Sequence, residues 1–227
     1  MSVVHIEMTF DFICPWCLIG KRNLEAAVQR LASLRPQVQV QLSWLGMQLL
    51  PEVPEQGEPF ADFYVRRLGG KRALRARQAE VRAAARRAGV EIDLARIQTM
   101  PNSARAHRLF LRAAQLGSAA QSRALLDGLF RAYFQDGEDL GQAGTLRALL
   151  RRHGYDPEDF AEALAEASRY FIGRRVGLAD ISVPLFLVDG RPFALGAQSP
   201  EQLLAALCRT LDRQAQAQAQ SAQRVSA

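Results

Sequence analysis

Two cysteines separated by two residues, Cys14 and Cys17, have a spacing that could do chemistry. They directly follow a strand-like run and directly precede a helix-like run. Two thiols at this spacing can close a small disulfide ring and open it again. Backbone N–H groups and the dipole at a helix start favour a thiolate at the first cysteine. The pattern therefore predicts a dithiol redox centre.

Two other interpretations of the cysteine pair stay open. A zinc site uses the same spacing but needs four ligands. The other candidate ligands, none of which belongs to a second paired motif, are Cys208, His5, His107 and His153. The second alternative is a pair of buried structural cysteines, since Cys is a commonly buried residue. The strand-to-helix setting favours redox chemistry without a bound metal.

The length and composition of the chain bound its class. With 227 residues, 48% of them hydrophobic, it can bury a full core as one large domain or as one domain with an insertion. His5, Glu7 and Asp11 interrupt the apolar N-terminal residues, so we expect neither a signal peptide nor a membrane span. We expect a cytoplasmic location, where thiols are kept reduced and a cysteine pair is more often catalytic or sensing than structural.

The formal net charge of +6 comes almost wholly from arginine. Between Lys71 and Gly89, helical spacing separates an apolar side from a basic side. The apolar side holds Leu74, Val81, Ala85 and Ala88, and the basic side holds Arg72, Arg75, Arg82 and Arg86. We interpret the basic side as a solvated face. A nucleic-acid- or protein-binding module is the alternative, but no aromatic array or recognition motif accompanies the charge.

The elements that must position the cysteines follow from hydrophobic periodicity. Val3 to Phe12 alternates as a strand, and the helix after the cysteines stops at Arg35-Pro36. Val38 to Trp44 alternates strictly, which predicts a strand with one solvated face, at a sheet edge and parallel to the first. Near the C-terminus, Leu185 to Leu195 predicts a hairpin with a primed turn at Asp189-Gly190.

The middle of the chain has helical periodicity throughout. The predicted helices are Phe60 to Leu68, Lys71 to Ala88, Ser103 to Leu116, Ser118 to Phe134, Thr145 to His153 and Pro157 to Val176. Asn102 and Asp156 are predicted N-caps. A closing helix is predicted from Pro200 to about Leu211.

The order of elements predicts an α/β, thioredoxin-like fold, β-α-β followed later by β-β-α, which a helical subdomain interrupts. The core would comprise residues 1–50 and 177–213, and the helical insertion residues 51–176. The Gln/Ala repeats of residues 214–227 are predicted to form a flexible tail.

The chain resembles the DsbA-like thioredoxin-fold oxidoreductases and, within them, the cytoplasmic FrnE-like branch of dithiol-disulfide isomerases. The resemblance covers most of the chain and is most specific at the cysteine motif with its flanks. Its landmarks are Phe10 to Arg22, Pro101-Asn102-Ser103, Ala106-His107, Val183-Pro184 and Gly196-Ala197-Gln198.

The resemblance implies roles for individual residues. Cys14 would attack a disulfide and Cys17 would resolve the mixed disulfide. Protein or small-molecule thiols and disulfides would be the substrates, with glutathione as a redox partner and no bound cofactor. Pro15 and Trp16 would contact the substrate. Where the periplasmic oxidant of the family carries a histidine, Trp16 offers no charge, which implies a less oxidising cysteine pair.

Two residues near the C-terminus would complete the substrate site. Pro184 would be the cis-proline that faces the cysteines, and Val183 would present backbone groups to an extended peptide. Without the resemblance, Pro184 would be interpreted as a trans proline at the first residue of an edge strand.

Three further residues have competing interpretations. Asp11 is either a proton acceptor for Cys17 or a cap of the turn, and we favour the cap. His107 is a satisfied core or surface histidine unless, as the resemblance implies, it lines the cleft. Cys208 is most simply a small buried apolar group, and a third redox partner is the alternative.

A related branch of the same architecture contains kappa-class glutathione transferases and hydroxychromene-carboxylate isomerases. These enzymes activate glutathione and typically carry serine at the position of Cys14. The intact Cys-Pro-Trp-Cys motif therefore favours thiol-disulfide exchange over this alternative.

Overall fold

A four-stranded sheet forms the centre of the computed structural model, which describes residues 2–165, 170–171, 173 and 182–225. Strand β1 (Ser2–Phe10) pairs in parallel with β2 (Val38–Gly46) and antiparallel with β5 (Leu185–Val188). Strand β6 (Arg191–Leu195) completes the order β2-β1-β5-β6. The predicted parallel β-α-β unit and the edge position of its second strand are confirmed.

Helix α1 (Pro15–Leu34) connects the two parallel strands and carries the second cysteine. Pro15 occupies its first turn, where the missing N–H costs no hydrogen bond. The helix ends at Arg35 because Pro36 disfavours helical backbone at the preceding residue, whose φ and ψ are −136° and 69°. The predicted stop is confirmed.

The hairpin between β5 and β6 turns at Asp189 and Gly190, as predicted. Their φ angles of 48° and 77° both lie in the left-handed region, which a type I′ turn requires at its two central residues. Glycine adopts this backbone without strain, and aspartate tolerates it better than most residues.

The helical insertion follows the predicted helices closely up to Arg152. Its elements are β3 (Glu58–Pro59), α2 (Phe60–Leu68), α3 (Lys71–Arg87), β4 (Thr99–Met100), α4 (Ala104–Leu116), α5 (Ala119–Phe134) and α6 (Ala143–Arg152). The short β3-β4 pair was not predicted. Ser103, one residue after the predicted cap, is the N-cap of α4, and Asn102 accepts a hydrogen bond from the Ala104 N–H at 3.0 Å.

The prediction of one last helix in the insertion, from Pro157 to Val176, is wrong. A 3₁₀ turn (Pro157–Phe160), capped by Asp156, leads into α7 (Ala161–Ala165), and Tyr170, Phe171 and Gly173 are not helical. The Phe171 N–H donates to Gln48 Oε1 at 2.8 Å, so a tertiary contact replaces the intrahelical bond. The other residues between Ala165 and Val176 lie outside the described residues.

Helix α8 (Pro200–Val225) is also longer than the sequence predicted. It continues beyond Leu211 through most of the segment predicted as a flexible tail. The Gln and Ala residues of that segment have high intrinsic helix propensity, which explains the extension. The first turns of α8 pack against α1 and bury Leu203 and Leu207.

The sheet and the insertion share one continuous hydrophobic core. Phe10 and Phe12, at the end of β1, contact Phe110 of α4 and Phe130 of α5, with ring centroids 5.3–6.0 Å apart. The insertion therefore packs directly behind the cysteine motif. The boundaries predicted for the core and the insertion stay a prediction. In the described part of the chain, no helix has the length and apolarity to cross a membrane.

Candidate functional site

The two cysteines lie at the start of α1, where the sequence predicted them. Cys14 is the N-cap residue, with extended backbone (φ −93°, ψ 108°). Its N–H donates to the Asp11 carbonyl at 3.1 Å, and its own carbonyl accepts the Cys17 N–H at 3.0 Å. Both cysteines are free thiols. Cys14 is 8% exposed and Cys17 is 0% exposed, so only the first cysteine is open to a partner.

Cys17 differs electrostatically from Cys14 because it is enclosed. Burial raises the pKa of the Cys17 thiol well above its usual range, and the hydrogen bond with Cys14 and the charge of Cys14 raise it further. Cys17 is therefore a neutral thiol in the reduced protein at neutral pH. The two sulfurs therefore differ both in their exposure and in how readily Cys17 can lose its proton.

A cleft of about 460 Å³ opens beside Cys14. The cysteine turn and residues Ser182 and Val183 line parts of it, so Pro15, Trp16 and Val183 all border the same cleft. Helices α2 and α3 form another wall of the cleft, which the sequence did not predict. Their lining residues include Phe60, Phe63, Tyr64, Arg67, Leu68, Leu74, Arg77 and Val81.

The Val183–Pro184 peptide bond is cis. Pro184 is not among the residues that line the cleft. Its ring packs against Gly20 of α1, where a Cβ atom would lie 2.8 Å from Pro184 Cγ. Only a residue without a side chain permits this approach, so Gly20 is a packing determinant that the sequence interpretation missed. The Leu185 N–H donates to Thr9 Oγ1 at 3.1 Å and ties the segment to β1.

Tyr64 brings a phenol into the cleft. Burial raises the pKa of Tyr64 to about 12, and the charge of Cys14 contributes to the rise. The side chain is therefore a neutral O–H group within electrostatic range of the Cys14 sulfur. No feature of the sequence distinguished this tyrosine from other aromatic residues of the insertion.

Asp11 caps the cysteine turn from inside. Its Oδ1 accepts the Ile13 N–H at 3.3 Å, and its Oδ2 accepts the Leu49 N–H at 2.7 Å. Asp11 Oδ1 also lies 3.1 Å from His107 Nε2. The carboxylate thus joins the turn, the segment after β2 and helix α4 at one buried point.

His107 lies behind the cysteine turn and does not line the cleft, which corrects the interpretation as a cleft residue. Its side chain is fully buried, with ring centroids 4.9 Å from those of Phe12 and Phe171. A Cβ atom at Gly46 would lie 2.5 Å from His107 Nδ1, so that glycine leaves room for the ring. The sequence held no signal for the contact between Asp11 and His107.

The other candidate ligands and thiols lie away from this arrangement. Cys208, on α8, is half-buried, packs against the core and is not a lining residue of the cleft. Within the described residues, no group of three or more His, Cys, Asp or Glu side chains could hold a metal ion. The arrangement offers one accessible and one enclosed thiol beside an apolar cleft.

Comparison with known proteins assigns the chain to a family. The family model described as "DSBA-like thioredoxin domain" matches residues 5–208. The chain belongs to that family. It is also 27% identical over 192 residues to YwbO, an uncharacterized protein of Bacillus subtilis, with 82% of this chain and 86% of YwbO covered.

Two solved structures share the family fold. The probable DsbA oxidoreductase SCO1869 from Streptomyces coelicolor has a TM-score of 0.78 at 24% identity, with 92% of this chain and 90% of that chain covered. A 2-hydroxychromene-2-carboxylate isomerase has a TM-score of 0.55 at 14% identity, with 93% and 98% covered. Because oxidoreductases and an isomerase share the fold, the residues of the site must separate their chemistries.

Proposed function

We propose that the protein is a dithiol-disulfide oxidoreductase or isomerase in which Cys14 attacks and Cys17 resolves. One observation carries the proposal. Cys14 lies at the helix start and opens to the cleft, whereas Cys17 is enclosed and kept neutral by its raised pKa. A nucleophile must reach the substrate as a thiolate, and a resolving thiol must stay protected until the first bond has formed.

In the first step, the Cys14 thiolate attacks one sulfur of the substrate disulfide. A bond forms between Cys14 and that sulfur while the substrate S–S bond breaks, and the other substrate sulfur leaves as a thiolate. The Cys14 sulfur then carries no negative charge, and it no longer accepts a hydrogen bond from the Cys17 thiol as a thiolate would. Two of the causes that raise the pKa of Cys17 therefore disappear, and Cys17 becomes easier to deprotonate.

In the second step, Cys17 loses its proton and attacks the Cys14 sulfur. The Cys14–Cys17 disulfide forms, the second substrate sulfur leaves, and two electrons have passed from the protein to the substrate. The reverse sequence oxidises a dithiol substrate. After the protein has reduced a substrate, a thiol such as glutathione would reduce the Cys14–Cys17 disulfide again. We propose a cytoplasmic setting, as in the FrnE-like branch, where such thiols are abundant.

Covalent trapping tests this assignment. Replacing Cys17 with serine removes the resolving thiol, so Cys17→Ser should accumulate mixed disulfides on Cys14 with a scrambled disulfide protein. Cys14→Ser is the matched control and should trap nothing. Adducts would be resolved on non-reducing gels and mapped by mass spectrometry.

The same experiment separates disulfide exchange from a glutathione-dependent isomerase. An isomerase of that type uses the thiol of bound glutathione and needs no covalent protein intermediate. If no reductant-sensitive adduct maps to Cys14, and the unmodified protein isomerises a small substrate only when glutathione is present, the isomerase function replaces the one proposed.

A further inference from the structure

The net positive charge of the protein is concentrated on helices α2 and α3, which also form one wall of the cleft. Helices α2 and α3 carry nine Arg or Lys residues and two acidic residues, a net charge of +7. The whole chain carries +6, so the rest of the chain has a net charge of −1. The protein is therefore basic because of this helix pair, and it is close to neutral elsewhere.

Two arginines of the pair reach the cleft beside Cys14. The Arg67 guanidinium lies 5.8 Å from the centroid of the Phe63 ring. The Arg77 guanidinium lies 5.6 Å from the centroid of the ring of Trp16, a residue of the cysteine motif. Cation–π contacts of this kind hold a guanidinium in place while leaving its N–H groups free at the edges.

Both arginines keep donors for a ligand. Arg77 Nη1 pairs with Glu80 Oε2 at 2.7 Å, but a guanidinium has five N–H donors, and the Arg77 side chain is 48% exposed. Arg67 has no carboxylate partner among the described residues, and no described residue that lines the cleft is acidic. The cleft therefore presents two cations without an internal anion on its lining.

The remainder of the lining is mainly apolar. Besides the arginines, the walls are built from Leu49, Leu50, Phe60, Phe63, Leu74, Val81 and Leu94, among others. An apolar wall favours an apolar side chain, and a volume of about 460 Å³ suits a few residues of a peptide. Glutathione disulfide carries carboxylates but no apolar side chain, so it would leave this wall unused.

We propose that the cleft selects peptide disulfides in which an acidic residue and an apolar residue lie close to the reacting cysteine. The apolar side chain would contact the wall of α2 and α3, and the carboxylate would pair with Arg67 and Arg77. This inference rests on the proposed function and adds the class of substrate. It makes Arg67 and Arg77 specificity residues, not groups that act on the sulfurs.

The test compares peptide disulfides that differ in one charge. Disulfide-linked dimers of the acetylated amide Xaa-Leu-Cys-Ala would be prepared with Glu, Gln or Lys at the first position. Each would be mixed with the reduced full-length protein, quenched in acid and alkylated, so that mass spectrometry follows oxidation of Cys14 and Cys17. Glutathione disulfide would form a fourth arm.

We expect the Glu peptide to react fastest and the Lys peptide slowest, with rate constants that differ by about tenfold at low ionic strength. The difference should shrink with added salt, because the Debye length is about 8 Å at 0.15 M ionic strength. Glutathione disulfide should react more slowly than the Glu peptide. Should it react faster, the anion site serves the small tripeptide and the peptide assignment is wrong.

Paired variants locate the selectivity. In Arg67→Gln/Arg77→Gln, the ratio of the Glu rate to the Gln rate should fall towards one, and Arg67→Lys/Arg77→Lys should retain part of it. The control is Arg72→Gln/Arg75→Gln, which removes the same charge from exposed positions of α3 outside the cleft lining. Each ratio is internal to one protein and so does not depend on the amount of folded material.

The outcomes distinguish the two proposals. Equal rates for the three peptides with the unmodified protein, or an equal loss of preference in the control variant, overturn the selectivity. If no peptide disulfide oxidises Cys14 and Cys17, the proposed function itself fails. The salt dependence of the unmodified protein decides the question even where a variant does not fold.

Discussion

Asp11 and His107 lie 96 residues apart in the chain and form a 3.1 Å hydrogen bond between side chains that solvent does not reach. Asp11 also holds the backbone of the cysteine turn and of the segment after β2. The pair therefore connects the redox motif to helix α4 of the insertion. Removal of Asp11 would leave the buried His107 Nε2 without this partner, whereas removal of His107 would leave Asp11 with its two backbone N–H donors only.

A double-mutant cycle with Asp11→Ala and His107→Ala should give a coupling energy of about 1–3 kcal/mol in the free energy of unfolding, since buried partners in one network are strongly non-additive. Denaturant titration under reducing conditions would measure it. The control cycle uses Arg147 and Glu158, a 3.0 Å pair in which Arg147 is half-buried and Glu158 is exposed. That pair should couple by less than about 1 kcal/mol. Equal coupling energies in the two cycles would contradict the prediction.

Alkylation should distinguish the two motif cysteines. Cys14 is more exposed, and burial, which remains in Cys14→Ser, is the largest cause that raises the pKa of Cys17. We therefore expect iodoacetamide to modify Cys14 in Cys17→Ser at least about tenfold faster than Cys17 in Cys14→Ser at pH 7, because the thiolate is the reactive form. Timed alkylation followed by mass spectrometry gives both rates. Faster modification of Cys17 would exchange the proposed roles.

The raised pKa of Cys17 also predicts how stability changes with pH. Above the ordinary thiol pKa of about 8.5, the unfolded chain ionises Cys17 while the folded protein keeps it neutral. The stabilisation is thus complete below that pH and is lost as the pH rises towards the folded pKa. We expect the reduced protein to lose stability above pH ~8.5 more steeply than Cys17→Ser, since only the former retains this ionisation.

Thermal unfolding of both proteins with reductant, from neutral pH upwards, would measure the difference. The comparison isolates Cys17 from Tyr64 and Tyr133, whose pKa values are also raised by burial and which both proteins retain. Parallel curves would show that Cys17 ionises equally in the folded and unfolded states.

Gly20 should tolerate no side chain. In Gly20→Ala the new Cβ would lie 2.8 Å from Pro184 Cγ and 3.3 Å from Phe186 Cζ, in a region with little room to relax. We expect a loss of about 1–3 kcal/mol in the free energy of unfolding, typical of overpacking. The matched control is Gly144→Ala in α6, where a Cβ meets no atom within 4 Å. That change should stabilise by up to about 1 kcal/mol. Similar values for the two variants would contradict the close packing at Pro184.

The sequence by itself determined the local features of the fold. Strict alternation in β2, proline at the start of α1, Pro36 after its end and the Asp189-Gly190 turn each act through neighbouring residues, so their outcome can be derived without tertiary contacts. The cysteine spacing likewise predicted which chemistry to look for. Local preference failed where a distant contact competed with it, as at Phe171, whose N–H bonds to Gln48.

Only the tertiary structure decided what surrounds the cysteines. His107 was predicted as a core, surface or cleft residue, and its distance from Asp11 depends on how α4 packs behind β1. The meeting of Arg77 with Trp16 depends in the same way on the packing of α3 against α1. Such contacts join residues tens of positions apart, and their geometry follows from the shape of the whole core, which no local pattern encodes.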